Sequence, residues 1–297
     1  MPNPAERNRK VALTEGILAG VSFGTAAIFI KLLGDLNVYS IAFWRLIIAI
    51  CALGIVFFVL RKPLGRFKVR ENVRQFIVLG FLLGLHFILF VSAVADTTIL
   101  NATVLVNTTP IFSMLISSFL FKVRPSFVAV IGISVSFLGV GIIALLDVSR
   151  SASSDSLIGD LAAMLAAIVE GFYLNYGREV RRKVPLMPLM IAIYSISALT
   201  VAVASVVTSN PLTFTIGQPS LILYLIGLGI IPTAFAHTFY FSSLSHLKSF
   251  ETATMALLEP VGATLLGIAV FSEIPNPFFI VGASLVLCGI FSVAISR

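Results

Sequence analysis

Charge is scarce in this sequence. Asp, Glu, Lys and Arg make up 11% of its 297 residues, whereas 58% are hydrophobic. A soluble chain of this length covers its core with a charged skin, and there is too little charge here to build one. Cysteine is nearly absent: Cys51 and Cys288 both fall in apolar runs. That excludes a disulfide framework and any metal-ligand spacing, and leaves two thiols packing as small hydrophobes. Tryptophan occurs once, at Trp44, against 25 phenylalanines, a balance that fits a lipid-facing chain. There is no Walker lysine, so the chain does not itself hydrolyse ATP. HExxH and GxSxG are missing too, and His237 and His246 are too far apart along a helix to form a ligand pair. No cofactor or metal is therefore expected. Aromatic residues are not interleaved with basic ones, so no nucleic-acid partner is expected.

What the chain has in quantity is apolar sequence of membrane-spanning length. A hydrocarbon core of about 30 Å takes roughly 20 apolar residues in a helix. Such runs cover approximately residues 13–33, 39–60, 73–95, 98–121, 125–146, 158–178, 186–207, 220–244, 252–271 and 277–295. The first follows a basic head, as in a signal peptide. It is too long for one and lacks a small-x-small cleavage site, so it reads as a retained span. The expected fold class is an all-α integral membrane protein with ten transmembrane helices.

The basic residues test that count independently. With the N-terminus in the cytoplasm, every Lys and Arg except Lys31, Arg45 and Arg150 falls on the inner side, while the outer turns carry Asp35, Asp96, Asp147, Asp155 and Glu273. This is the positive-inside asymmetry, which a missed helix would scramble. Both termini are expected in the cytoplasm, and the protein in the inner cell membrane. The formal charge of +7 then faces anionic lipid head groups.

The two halves repeat. "TPIFSMLISSFLFKVRPSFVAVIGISVSFLGVGIIAL" (residues 109–145) aligns without a gap on "EPVGATLLGIAVFSEIPNPFFIVGASLVLCGIFSVAI" (residues 259–295). Pro110 meets Pro260, Pro125 meets Pro275, Gly132 meets Gly282 and Gly139 meets Gly289. "GILAGVSFGTAAIF" from Gly16 is echoed more weakly by "GDLAAMLAAIVEGF" from Gly159. Residues 1–12 read as a cytoplasmic N-terminus, 13–146 as the first five-helix repeat, 147–157 as an extracytoplasmic linker and 158–295 as the second repeat. A unit with an odd number of spans leaves on the face opposite its entry, so its copy sits upside down. Inverted repeats are the usual build of secondary transporters.

The stretches "FWRLIIA" (Phe43–Ala49), "VNTTPIFSMLISSFLF" (Val106–Phe121) and "LLEPVGATLLGIAVFSEIPNPFFIVGASLVLCGI" (Leu257–Ile290) carry a resemblance. With the repeat, the chain resembles the EamA-type branch of the drug/metabolite transporter superfamily over nearly its whole length. The resemblance implies a ten-helix inverted-repeat carrier of small metabolites or amino acids, often working outward. One departure is Lys122, which stands where members commonly carry an acid; Glu273 is the acid of the second half.

Transport needs polar groups at membrane depth, where each is costly. At about 1.5 Å per residue, Glu259, His237 and Glu170 lie about 10–12 Å from the cytoplasmic edge on three helices of one half, which suggests a common site. Glu259 and Pro260 interrupt the apolar "MALLEPVGATLLG". The carboxylate is tolerable there beside water or a partner, and Pro260 is expected to leave the carbonyl of residue 256 free to line a site. A carboxylate at depth can hold a proton or a cationic substrate, but not both, which is a minimal coupling device. His86 lies about 20 Å from the inner edge, with Asn101 and Asn107 near the same level. The hydroxyls of "TTP" can bond back to their own helix. Arg45 lies about 9 Å below the outer surface, to snorkel or to attract a substrate carboxylate. Glu15 sits near the inner end of its span, within reach of water. Tyr173 and Tyr240 stand three residues after Glu170 and His237, sharing their helix faces; aromatic walls there suit amines.

These readings lead to a secondary active transporter of small metabolites, amino acids or amine-like compounds: a proton-coupled exporter working by alternating access, and not an enzyme. The alternatives are an uncoupled facilitator or importer, and a membrane-embedded enzyme using Glu170, Glu259 and His237 as acid–base groups. The implied partners are a small-molecule substrate, protons and the lipid bilayer; the oligomeric state is left open.

Overall fold

The computed structural model describes residues 4–59, 69–97, 99–145, 156–214, 218–271 and 277–296, and every regular element among them is helical. The elements are α1 (Pro4–Phe23), α2 (Ala26–Leu32), α3 (Val38–Val59), α4 (Val69–Asp96), α5 (Ile99–Val106), α6 (Thr109–Phe119) and α7 (Phe127–Leu145). They continue with α8 (Ser156–Arg181), α9 (Leu186–Val207), α10 (Pro219–Leu228), a π-helical turn (Gly229–His237), α11 (Thr238–Ser243), α12 (Ser249–Met255), α13 (Leu258–Phe271) and α14 (Phe278–Ile295).

Among the described residues, eight helical stretches are long and apolar enough to cross a membrane. They coincide with eight of the ten expected spans. The other two, 125–146 and 252–271, meet shorter elements: α7, whose described apolar run is Phe127–Ile142, and the α12–α13 pair, divided at Ala256–Leu257. Asp147, Asp155, Glu273, Arg150 and the basic residues between 61 and 68 lie outside the described residues, as does the linker apart from Ser156 and Leu157, which open α8.

Polarity is turned inside out relative to a soluble protein. Phe58, Phe119, Phe127, Val206 and Phe291 are largely exposed, whereas Arg45, His86, Glu170, His237, Glu251 and Glu259 are buried. An apolar exterior, with the ionisable groups enclosed in a largely apolar core, is the solution for a chain solvated by lipid. The protein is a multi-pass membrane protein.

The interior is built from α3, α4, α8 and α9, which pack on one another, with α1 against α11, α13 and the π turn, and α6 between α8 and α12. The α7 and α14 helices pack together along their lengths. Their glycines make this possible: a Cβ on Gly132 would lie 2.7 Å from the Gly289 carbonyl oxygen, and one on Gly139 would lie 2.5 Å from that of Gly282. Ser136 ties the pair by donating to Val286 O at 3.1 Å. Lys122, directly after α6, adopts a left-handed φ of 55° that ends the segment sharply.

Four irregularities interrupt long helices. The first, at Gly24–Thr25, separates α1 from α2 where Gly24 approaches the backbone of α13; a Cβ there would lie 2.7 Å from Ala263 N. The second, at Asn107–Thr108, separates α5 from α6. Pro110 has no N–H for the Val106 carbonyl, and the Thr109 hydroxyl donates to it instead at 2.7 Å. The π turn contains Pro232, and here too a threonine compensates: Thr233 Oγ1 donates to Leu228 O at 2.6 Å. The fourth break lies at Ala256–Leu257. The expectation that Pro260 frees the Ala256 carbonyl is corrected, because the chain tightens and the Glu259 N–H donates to that oxygen at 2.8 Å.

One end of the bundle is tied shut. Arg9 Nη1 and Nη2 donate to the two carboxylate oxygens of Glu251 at 3.3 and 3.1 Å, and Nη2 also reaches the carbonyls of Ala294 and Ser296. Glu251 accepts the Lys248 N–H at 2.7 Å as well, capping α12. This cluster joins α1, α12 and the end of α14. Nearby, Ser242 donates to Glu15, which is half-buried rather than free in water.

Candidate functional site

All four irregularities meet at one cavity of about 30 Å³, room for a couple of waters. Phe23 and Ala26 line it from either side of the first break, Asn107 and Thr109 from the second, Ala256 and Glu259 from the fourth, and His237 from the end of the π turn. Unbroken helices add Arg45 from α3, His86 and Phe90 from α4 and Glu170 from α8. Interrupted backbone at membrane depth is tolerated where it is buried in protein or borders a cavity, and both conditions hold here.

Glu259 is 6% exposed and accepts the Asn107 amide at 3.2 Å; the same amide donates to Thr103 O at 2.7 Å. Glu170 is 8% exposed, and its Oε2 lies 3.0 Å from Thr109 Oγ1. A hydroxyl has one proton to give. The closest acceptor for that of Thr109 is Val106 O, at 2.7 Å. The Thr109 hydroxyl is thus shared between the Val106 carbonyl and the Glu170 carboxyl, and ties the second break to α8.

His86 Nδ1 lies 3.1 Å from Ala166 O on α8, and its ring stacks on Phe90 at 6.1 Å. His237 is enclosed edge-on by Phe23 and Phe87, at 4.7 and 4.9 Å between centroids, and its buried Nδ1 has no partner among the described residues. The two imidazoles are 6.3 Å apart. Arg45 is 1% exposed and does not snorkel; its Nε donates to Thr233 Oγ1 at 2.9 Å and its Cζ lies 4.1 Å over the Phe87 ring.

Six of the nine expected site residues thus share the cavity: Glu170, Glu259, His237, His86, Asn107 and Arg45. Tyr173 and Tyr240 are fully buried but stand outside the lining, Tyr173 packed on Phe241 at 5.3 Å and Tyr240 edge-on to Phe23 at 5.2 Å. Neither hydroxyl has a partner among the described residues. Asn101 lies on α5, and its side chain falls outside the described residues. Counting depth from helix ends had set Arg45 and His86 apart from the other three. The structure brings all five together at one cavity, lined both by unbroken helices and by the breaks.

Sequence reasoning missed Phe23, Thr233 and Tyr194, and gave "TTP" only half its role. Thr108 and Thr109 do bond back, to Leu105 O and Val106 O, but Thr109 also meets Glu170. Tyr194 OH donates to Thr233 O at 2.8 Å, which fixes the residue that holds Arg45. The signal for Thr233 was available in its position beside Pro232, mirroring Thr109 beside Pro110.

Residues 11–145 and 157–295 both match the model of the EamA-like transporter family. The chain belongs to that family. It is 25% identical over 287 residues to an uncharacterized transporter of Archaeoglobus fulgidus, covering 95% of this chain and 94% of that one. It is 21% identical to the uncharacterized transporter YxxF of Bacillus subtilis, covering 97% and 91%. A protein of known crystal structure, 19% identical, superposes with a TM-score of 0.77 over 95% of each chain, which shows a shared fold. Membership of the EamA-like family makes this chain a membrane transporter, with a small-molecule substrate.

Proposed function

We propose that this EamA-like transporter is a secondary active carrier of small metabolites, amino acids or amine-like compounds, which exports its substrate in exchange for protons by alternating access. The observation that carries the reading is the convergence of Glu170, Glu259 and His237 on one buried cavity at the breaks of four long helices. Glu170, buried and facing the Thr109 hydroxyl across the cavity wall, is the proton carrier. Glu259, held by the Asn107 amide, meets the charged substrate. His86 stands beside them.

Two inverted five-helix repeats, ten spans in all, supply the two alternative shapes. Several features support this. The family model matches in two consecutive stretches. Gly132 contacts Gly289 while Gly139 contacts Gly282; exchanging each glycine for its counterpart in the other repeat turns one contact into the other, as a two-fold axis between α7 and α14 would. Distribution of basic residues favours cytoplasmic termini in the inner membrane, and the Arg9–Glu251 cluster then closes the cytoplasmic end.

Flux in proteoliposomes tests the reading. An imposed pH gradient should drive uptake of the substrate against its concentration, and Glu170→Gln should abolish the drive while leaving exchange of labelled for unlabelled substrate. Flux indifferent to the gradient would make the protein a facilitator and sink the coupled reading.

A further inference from the structure

Two of the largest buried side chains carry hydroxyls that the packing does not use. Tyr173 and Tyr240 are 1% and 0% exposed, and neither hydroxyl has a hydrogen-bond partner among the described residues. A phenol buried in this way is unfavourable, and phenylalanine would fill the same space without the penalty. Tyr194, equally buried, has the ordinary arrangement: its hydroxyl donates to Thr233 O at 2.8 Å. His237 Nδ1, three residues before Tyr240, is a further buried polar atom without a partner among the described residues.

The two hydroxyls belong to one region of the bundle. Tyr173 follows Glu170 by three residues on α8 and Tyr240 follows His237 by three on α11, about 4.5 Å along each helix from the cavity. Both helices run on to the same end, where Arg178 Nε of α8 donates to Leu247 O, just beyond α11, at 2.9 Å. Tyr173 packs on Phe241, the neighbour of Tyr240, at 5.3 Å. Tyr240 is within electrostatic reach of Tyr173, Glu170 and Glu259. Two residues past Tyr240, Ser242 donates to the half-buried Glu15 at 3.0 Å. Glu15 lies on α1, six residues from the Arg9 that ties this end to Glu251. Polar atoms thus continue from the cavity through the tyrosine pair to Glu15, on α8, α11 and α1.

We infer that Tyr173 and Tyr240 relay protons between Glu170 and the end of the bundle where Glu15 stands, with water as the bridging group. This rests on the reading of Glu170 as the proton carrier and adds the route that its proton takes. A phenol suits the task because it both donates and accepts through one oxygen. As a proton reaches that oxygen from one neighbour, the O–H proton already there passes to the next; the tyrosine is neutral before and after. Glu170 is left as a carboxylate and the proton emerges at Glu15. Such a route does not require the Arg9–Glu251 cluster to part, so a proton can leave while that end stays shut to the substrate. The other titratable and charged groups round Glu170 are His86 from α4, Glu259 from the fourth break, His237 from the π turn and Arg45 from α3.

The test needs no substrate. Purified full-length protein in nanodiscs is stepped in pH, and protonation of Glu170 is followed in the infrared as the carboxyl C=O band that Glu170→Gln removes. A relay sets the rate at which the carboxyl responds and leaves the midpoint of its titration alone. Tyr173→Phe and Tyr240→Phe, read singly and together, keep both rings and delete only the hydroxyls. Each should slow the response, the double variant tenfold or more, with the midpoint of the wild type.

An unchanged rate in these variants overturns the relay, and a raised melting temperature alongside it would mark the hydroxyls as idle. A rate and a midpoint that shift together also overturn it, because a change of packing around Glu170 moves both. The carrier reading fails on a different readout, a wild type with no pH-sensitive band that Glu170→Gln removes.

Discussion

Asn107 and Glu259, separated by 152 positions, are joined by a 3.2 Å hydrogen bond from the amide Nδ2 to the carboxyl Oε2. The bond links the break after α5 to the break before α13, and so couples the two halves of the chain at the cavity. Both partners are buried, and a buried hydrogen bond to a charged group is worth about 1.5–3 kcal/mol. Asn107→Leu should therefore weaken substrate binding or transport by roughly tenfold or more, taking about 1.4 kcal/mol per factor of ten. Asn107→Gln, with the same amide on a longer arm, should recover part of the loss. Equal activity of Asn107→Leu and wild type in proteoliposomes would detach the amide from the mechanism.

Thr109 occupies, by the 150-residue repeat, the place of Glu259 in the other half. The first half thus has a hydroxyl where the second has a carboxyl, and that hydroxyl serves a carboxyl from α8. Thr109→Val removes the contact to Glu170 and the donor that satisfies Val106 O. A loss of about 1–2 kcal/mol is expected from the unpaired groups, together with a changed pH profile of flux. Thr109→Ser keeps the hydroxyl and should restore both. If Thr109→Val lowered stability but left the pH profile of the wild type, the hydroxyl would be only a backbone patch.

Much of this architecture was legible because lipid imposes simple rules. Run lengths located the helices to within a few residues of α3, α9 and α14, and Pro260 was expected to disturb its span, which does break just before it at Ala256–Leu257. Glu170, Glu259 and His237 stood out because ionisable groups are costly in apolar runs. The rest depended on relations between helices. Gly24 sits in a string of small residues and gives no local sign of a break; its reason is the approach of α13. The π turn around Pro232 is stabilised by Thr233, which in turn meets Arg45 and Tyr194 from two other helices. Linear counting along straight rods cannot see that the breaks bring Glu259 and His237 to the same cavity as Arg45 of the unbroken α3. Gly132 and Gly139 were visible as repeat partners of Gly282 and Gly289, but their crossed contacts follow only from the antiparallel packing of α7 and α14.

The Arg9–Glu251 cluster ties α1 to α12 and to the end of α14, and is expected to control access from that end of the bundle. Glu251 is 1% exposed and accepts three donors, whereas Arg9 is 29% exposed and can turn to water when released. Glu251→Gln keeps the Lys248 N–H bond but removes the charge pair, and should favour opening at that end by about 1–2 kcal/mol, a five- to thirtyfold shift. A cysteine replacing Ala256, which lines the cavity, reports the opening in a background lacking Cys51 and Cys288. Its modification by a membrane-impermeant thiol reagent from the N-terminal side should be several-fold faster with Glu251→Gln. Unchanged labelling would mean that the pair is not part of the closure.

Charge movement separates the possible cargoes without knowledge of side-chain specificity. Exchange of one proton for a monocation moves no net charge, whereas exchange of one proton for a zwitterion moves one. A potential of about 100 mV is worth about 2.3 kcal/mol per elementary charge, which corresponds to roughly fiftyfold accumulation at equilibrium. With pH equal on both sides, a potassium diffusion potential should therefore drive accumulation of a zwitterionic substrate, and reversing the potential should reverse the flux. Glu170→Gln should remove the response, since the proton is the charge that moves and Glu170 carries it. No response to the potential, with pH-driven flux intact, would mean that the substrate crosses as a cation.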